Sequence, residues 1–418
     1  MQAKVGLEQY MSSSGAPIVE RGCLGWSLGE LRARGPSRTS RSGTGDKCDR
    51  NQQDHLAVMD SPYRHELEVA LAVAQTAARI SREVLAAAQA DATPGTFDLV
   101  KDDLSPVTVA DFAIQALLTR TLRNAFPDDG FIGEESADEL RQNPRLASLV
   151  LAIIAQCAGD TLFRDADDLC DVIDSCTTLT PGPGRIWVFD PIDGTKTFIR
   201  REQYAINIAL LETGRQVLSV VACPLLSVDV TPPVTDGTVD PTGKGCVLYA
   251  LRGHGAHIRP LLGDHGEAQA RRLPRHADDA TSTSDLRSVT CWALLDSGVD
   301  VVHKGVAELL HVPFPGNDLL GWVPRWAVLA VGAANMTVWV YKKRDRYAKI
   351  WDHAGAMLLF EEVGGLITDV HGKEIDLTAG RKLEANFGFV AAPRSLHHIV
   401  LRAVHDTLKA SGKEALLQ

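Results

Sequence analysis

No apolar run in this chain is long enough to cross a bilayer. The longest uncharged stretch toward the C-terminus, Trp326 to Tyr341, falls short of the ~20 residues required and is interrupted by Gly332 and Asn335. No membrane partner is expected. An excess of positive charge is also missing: 43 Lys and Arg stand against 53 Asp and Glu, a formal charge of -10. Such a field repels nucleic acid, and an acidic protein that handles an anionic substrate needs cations to do so. The eight cysteines form no C-x-x-C pair, and the N-terminus has no secretory apolar segment. Zinc is therefore not expected, and thiols in a reducing compartment, the cytoplasm, are. A mitochondrial transit peptide fits less well, because Glu8, Glu20, Glu30, Asp46, Asp49 and Asp54 interrupt the basic N-terminus. Internal repeats are absent.

The first 58 residues are rich in Ser, Gly, Arg and Gln and carry no sustained apolar period, which predicts a disordered tail. Folded patterning begins directly after Met59, where the native start is placed as an alternative. The spacing of Leu67, Leu71, Ala74, Ala78, Ile80, Val84 and Leu85 predicts an amphipathic helix over 64–90. A second helix is predicted from Val109 to about Ala125, a short strand at Phe131–Gly133 and another helix near 145–157. The acidic stretch that follows, ending in Pro181-Gly182-Pro183-Gly184, is expected to be a loop. Strands are predicted at 185–189, 204–211 and 216–222, the last two as a hairpin; strands and helices then alternate after Ser288. Irregular mixing of this kind indicates stacked layers of sheet and helix.

Four short segments carry chemistry. Asp190-Pro191-Ile192-Asp193-Gly194-Thr195-Lys196 sets two carboxylates at the end of a buried strand, with Pro191 keeping the stretch out of helix. The two acids and an intervening carbonyl suit one hard cation, and Gly194-Thr195 offers backbone N–H groups and a hydroxyl to a phosphate. An ordinary Asp-Pro and Asx turn also fits this string. Glu134-Glu135 follows the short strand, as a solvated loop or as ligands. Asp352, in Trp351-Asp352-His353-Ala354-Gly355, reads as a helix cap, a metal ligand or both. Asp111 stands three residues after Thr108, either in an acidic capping box or beside a water.

In the order K-x-D-x-S-P-V-T-x-A-D, G-E-E, D-P-I-D-G-T-K-x-F and W-D-H-A-G, these segments resemble the inositol monophosphatase superfamily, from about residue 62 to the C-terminus outside one insertion. Within it the likeness is greatest to the 3'(2'),5'-bisphosphate nucleotidase branch. The resemblance implies an α+β fold layered α-β-α-β-α, as in the sugar phosphatases. It implies that Glu134, Asp190, the Ile192 carbonyl, Asp193 and Asp352 hold two or three Mg2+ ions, with Asp111 and Thr195 activating the attacking water. Gly194, Thr195, Arg325 and Asp352 are expected to bind substrate, a small anionic phosphate ester. The implied organisation is a tail over 1–58, a metal-binding α+β domain over 59–226, a variable insertion at the junction over 227–288 and a C-terminal α/β domain over 289–418. Lithium sensitivity is implied by the likeness alone.

The expected reaction is removal of the 3'-phosphate of adenosine 3',5'-bisphosphate. Inositol monophosphate, another specialised phosphate ester and a non-catalytic metabolite-binding role are the alternatives. The chain departs from the nucleotidase branch where that branch contacts the nucleotide. Thr290–Leu295 is apolar in place of a polar string, and Arg325 and Trp339 stand where the branch has a Lys and an Arg. The basic run Lys342, Lys343, Arg344 and Arg346 fits either an anionic substrate or plain solvation. His303, His311 and His353 share no ligand spacing with the acids.

Overall fold

The computed structural model describes residues 61–90, 98–100, 106–263, 270–292 and 297–418. The expected tail, the Lys101–Ser105 part of the first motif and residues 293–296 of the apolar string lie outside the described residues.

In chain order the N-terminal half contains α1 (Arg64–Ala90), β1 (Asp98–Val100), β2 (Pro106–Thr108), α2 (Val109–Ala125), β3 (Gly130–Gly133), α3 (Asp138–Gln142), α4 (Pro144–Ala158), α5 (Ala166–Asp174), β4 (Arg185–Asp193), α6 (Thr195–Ile199), β5 (Ala205–Glu212) and β6 (Arg215–Cys223). There follow β7 (Cys246–Leu251), β8 (Ala256–Pro260), β9 (Arg271–Arg272), β10 (Val289–Thr290), α7 (Asp300–Leu310), β11 (Asn317–Asp318), α8 (Trp322–Ala330), β12 (Thr337–Trp339), α9 (Ala356–Glu362), β13 (Gly365–Thr368), β14 (Phe389–Pro393) and α10 (His397–Ala410).

A seven-stranded sheet in the order β3-β4-β5-β6-β7-β8-β9 is the centre of the molecule. Only β3 and β4 run parallel; the other pairings are antiparallel. Residues of the 227–288 stretch thus supply its last three strands. Both faces are covered, so β4 to β7 are buried on nearly every residue, and mostly apolar, where a half-exposed sheet would alternate. Trp187, Phe189, Ile206, Ile208 and Leu210 pack toward the side of α1 and α2, whereas Ile186, Val188, Ala209 and Leu211 pack toward α8 and α9. Beyond α8 and α9 lies a three-stranded sheet, β12-β14-β13, and beyond that α7 and α10. Five layers, α-β-α-β-α, result.

The amphipathic spacing of α1 is realised: Leu67, Ala70, Val73, Ala74, Ala77 and Ile80 are buried against α2 and the sheet. α2 is buried almost all round because it is wedged between α1 and β4. The acidic stretch after residue 158 departs from its expectation. Asp165 accepts from the Asp168 amide and caps α5, and Arg120 neutralises Asp168 at 2.6 Å, so the acids face cations along a helix whose Leu169, Cys170 and Ile173 are buried. α7 is likewise absent from the sequence reading. Among the described residues no helix is long and apolar enough to cross a membrane.

Candidate active site

β4 ends where the chemistry begins. Its pairing with β5 runs regularly from Arg185 to Asp190 opposite Asn207, then shifts so that Asp193 faces Ala205. Pro191 has no N–H for the ladder, and the bulge it creates brings Asp190 and Asp193 out together. The Ile192 amide donates to Asp190 Oδ1 (3.1 Å), and the Thr195 hydroxyl donates to the Ile192 carbonyl (3.2 Å). Gly194, at φ 91°, turns the chain into α6; a side chain there would also strike Thr197 Oγ1.

Asp352 arrives from the other half of the chain on a 3-10 turn, Ile350–Asp352. The turn is fixed by Asn207, whose Nδ2 donates to the Trp351 carbonyl at 2.6 Å. Gly355 makes the approach possible: a Cβ there would lie 2.2 Å from Asn207 Oδ1 and 3.0 Å from the Ile208 carbonyl. Helix α9 starts only at Ala356, so Asp352 does not cap it. Glu134 follows β3, and its neighbour Glu135 is held by Gln115, which exchanges two hydrogen bonds with the Glu135 backbone (2.7 and 2.8 Å). Arg381 ties both regions, donating to the Gly133 carbonyl and lying over the Trp351 ring.

One carboxylate oxygen each from Asp190, Asp193 and Asp352 falls within 4.8 Å of the others. Burial raises the pKa of Asp190 well above the carboxylate range, and the charges of Glu134, Asp193, Asp352 and Asp111 add to it. Asp352 is raised by burial and by Asp193 and Glu134. Asp193 is pushed up to about 7 by burial, although the Val323 amide and the Arg325 charge oppose this. Buried acids forced this close hold protons unless a cation neutralises them, and an all-oxygen donor set of this kind suits a hard divalent ion. Asp111, buried on the first turn of α2, is an electrostatic neighbour of Asp190 but does not line the cleft.

The cleft of about 670 Å³ that opens over these acids is lined by Glu134, Asp190, Ile192, Asp193, Gly194, Thr195 and Asp352 on its floor, and by Lys196, Lys343, Arg346, Lys349 and Lys382 around them. Lys196, Ser297, Leu320, Trp322, Lys343 and Arg346 also line an adjoining pocket of about 430 Å³, closed by Arg325, Trp339, Cys291 and Lys342. Of the basic run after Tyr341, Lys342, Lys343 and Arg346 therefore face the cleft or its adjoining pocket, whereas Arg344 lies over Phe387 and pairs with His371. Trp322, Lys349 and Lys382 are not singled out from sequence as binding residues; Lys196, directly after D-G-T, stands there as part of the motif.

Arg325 is buried at 2% exposure. Its Nε donates to the Gly321 carbonyl and its Nη2 to the Leu320 carbonyl, both at 3.1 Å, and its guanidinium carbon lies 3.6 Å from the Trp322 ring centroid and 4.8 Å from that of Trp339. Two of its three nitrogens thus hold the backbone ahead of α8, and Nη1 has no hydrogen-bond partner among the described residues. Trp339 packs on His303. Trp292 stands on the surface at 49% exposure, edge-on to Phe314, and lines neither pocket. His353 accepts from Trp326 Nε1 and stacks on Phe389.

A layered α-β-α-β-α molecule with acids gathered at the bulged end of a central strand defines a class, and comparison with known proteins agrees. The sequence profile of the inositol monophosphatase family matches residues 63–409, and the chain belongs to that family. It is 34% identical over 318 residues to the 3'(2'),5'-bisphosphate nucleotidase of Schizosaccharomyces pombe, covering 73% of this chain and 85% of that protein. It is 34% identical over 333 residues to the enzyme of the same name from Emericella nidulans, covering 74% and 90%. Among solved structures, the Thermotoga maritima IMPase superposes with a TM-score of 0.52 at 19% identity, covering 83% of this chain and 99% of that one. The inositol monophosphatase of Anabaena gives 0.52 at 17%, covering 84% and 100%.

Proposed function

We propose that this chain is a Mg2+-dependent phosphomonoesterase that converts adenosine 3',5'-bisphosphate and water to AMP and inorganic phosphate. The observation that carries this reading is the two-part cleft: an acid floor continuous with a cationic, indole-lined pocket large enough for a second charged group and a base. The relatives named as bisphosphate nucleotidases support the substrate.

Glu134, Asp190, the Ile192 carbonyl, Asp193 and Asp352 would hold the ions. Divalent ions held there would neutralise the ester's charge and make water a better nucleophile at neutral pH. The chain's own part is positional. Thr195 Oγ1, tied to the Ile192 carbonyl, orients the attacking water, and Asp111, set behind Asp190 outside the cleft, would favour loss of its proton to solvent through its negative charge. Gly194 and Thr195 face the reacting phosphate. Lys196, Lys343 and Arg346 attract the second phosphate, and Trp322, which lines both parts of the cleft, borders the space for the base. The P–O bond to the ribose oxygen breaks, and that oxygen takes a proton from solvent water and leaves as the alcohol.

Phosphate release from a panel of esters, with and without Mg2+, tests this. The bisphosphate is expected to exceed inositol 1-phosphate in kcat/KM, with no turnover in chelator. Preference for the inositol ester would overturn the substrate, and silence from every ester with Mg2+ shown bound would overturn the enzyme. A non-catalytic role is disfavoured because Asp111, Glu134, Asp190, Asp193, Thr195 and Asp352 are all retained.

A further inference from the structure

Residues 234–236 lie in the stretch that the sequence marks as an insertion, far in sequence from every motif above. They are nonetheless laced to the chain on both sides of the cleft. The Val234 amide donates to Asn317 Oδ1 (2.7 Å), and its carbonyl accepts from the Asp318 amide (2.9 Å). The Asp236 amide donates to the Asp318 carbonyl (3.1 Å), and its own carbonyl accepts from the Gln203 amide (2.8 Å). Gln203 closes the turn that follows α6, where Thr195 and Lys196 sit. Its side chain is itself held by the carbonyls of Leu225 and Thr238.

Those backbone bonds anchor residue 236 whatever its side chain. The carboxylate does something separate: Oδ1 accepts from the Leu320 amide at 2.9 Å. Leu320 lines both parts of the cleft, and its carbonyl is the acceptor for Arg325 Nη2. One residue is therefore held at its N–H by Asp236 and at its C=O by Arg325. Three residues on, the Val323 amide donates to Asp193 Oδ2, which ties the same segment to the acid floor independently of Asp236.

We infer that Asp236 is a positioning residue for the recognition half of the cleft, fixing Leu320 and hence the indole wall that begins at Trp322, while leaving the acid cluster to its own anchor at Val323. The inference rests on the proposed substrate. Removal of the carboxylate frees the Leu320 amide and loosens the wall that meets the base and second phosphate. It breaks no hydrogen bond at the reacting phosphate, and the charge it takes from the surroundings of Asp193 is taken equally by Asp236→Asn, which keeps the acceptor.

Steady-state kinetics on adenosine 3',5'-bisphosphate, with hydrogen–deuterium exchange over residues 319–324, test it in the full-length protein. Asp236→Ala is expected to raise KM about tenfold, the size of one lost charge-assisted hydrogen bond, with kcat within about twofold of wild type. Exchange over 319–324 should rise in the same variant, and the thermal shift given by Mg2+ should be unchanged. Asp236→Asn keeps a carbonyl oxygen for the Leu320 amide and should restore both KM and protection. If the alanine variant does not fold, Asp236→Ser, too short to reach that amide, carries the same expectation. Unchanged KM in the alanine or serine variant, an asparagine variant as impaired as alanine, or a loss confined to kcat overturns the assignment. A wild-type protein inert toward the bisphosphate would sink the functional reading instead, and the exchange difference would still report on the Leu320 anchor.

Discussion

At one end of the cleft three carboxylates from β4 and a distant 3-10 turn stand within 4.8 Å and raise one another's pKa. At the other end a guanidinium is sheathed by two indoles and spends its donors on carbonyls of its own chain. The first end is electrostatically unfinished: its charges conflict until a cation arrives. The second is already packed without any ligand: Arg325 is stacked against Trp322 and Trp339 and held by the Leu320 and Gly321 carbonyls, with Arg325 Nη1 and Trp339 Nε1 left without hydrogen-bond partners among the described residues. Reaction chemistry is thus stored as repulsion, and recognition as packing. Perturbations at the two ends should show different signatures.

The largest difference is expected from Asp193→Asn. It should lower kcat by about 10³-fold or more, because neutralisation of phosphoryl charge is lost, while circular dichroism stays that of wild type. Residual turnover near the wild-type rate would break the assignment of that end. Next comes Gly355→Ala, which forces a methyl group against Asn207 and the Ile208 carbonyl. Thermal unfolding should show a loss of about 1–3 kcal/mol, and kcat should fall because the turn bearing Asp352 is displaced. Arg325→Lys tests the packed end. Lysine cannot reproduce two directed hydrogen bonds and a stacked plane, so KM should rise about tenfold with kcat little changed; a pure kcat defect would erase the contrast drawn here.

The smallest effect concerns pH. Asp193 sits at about 7 in the folded protein without metal, against an ordinary value near 4, so folding favours its protonated form. The corresponding stability is present below about pH 4 and is lost as pH rises through about 7. Buried His303 and His353, whose pKa values burial lowers, titrate in the opposite sense. Comparing wild type with Asp193→Asn in chelator cancels them. The variant should gain relative stability between pH 4 and 7, and a flat difference would show that the acids are not in conflict.

This contrast also explains what was legible in the sequence. The acid end is encoded in short strings because Pro191, Gly194 and Gly355 must lie next to the acids they orient, and the helix of α1 shows itself through its apolar stripe. The packed end is spread over residues 196 to 346 and has no string. Arg325 looked like a phosphate ligand from its charge, but its Leu320 and Gly321 partners depend on how α8 begins. The basic run looked like any solvated loop until the fold set Lys343 and Arg346 over the cleft. α5 was hidden because its acids read as loop, its matching cation Arg120 lying far back on α2. Asp236 had no signal at all, since its role comes from pairing across the fold with Leu320.

The ring of Lys196, Lys343, Arg346, Lys349 and Lys382 around an acid floor has a kinetic meaning. A protein of net negative charge repels a polyanion at long range, and these five cations are matched in the cleft by Glu134, Asp190, Asp193, Asp345 and Asp352. Once divalent ions hold the floor, the local field would turn attractive within about 8–10 Å of the opening, a Debye length at ordinary salt. An approaching bisphosphate would be turned and captured only in that last shell. Its encounter rate, and therefore kcat/KM, should slow with ionic strength more than kcat does.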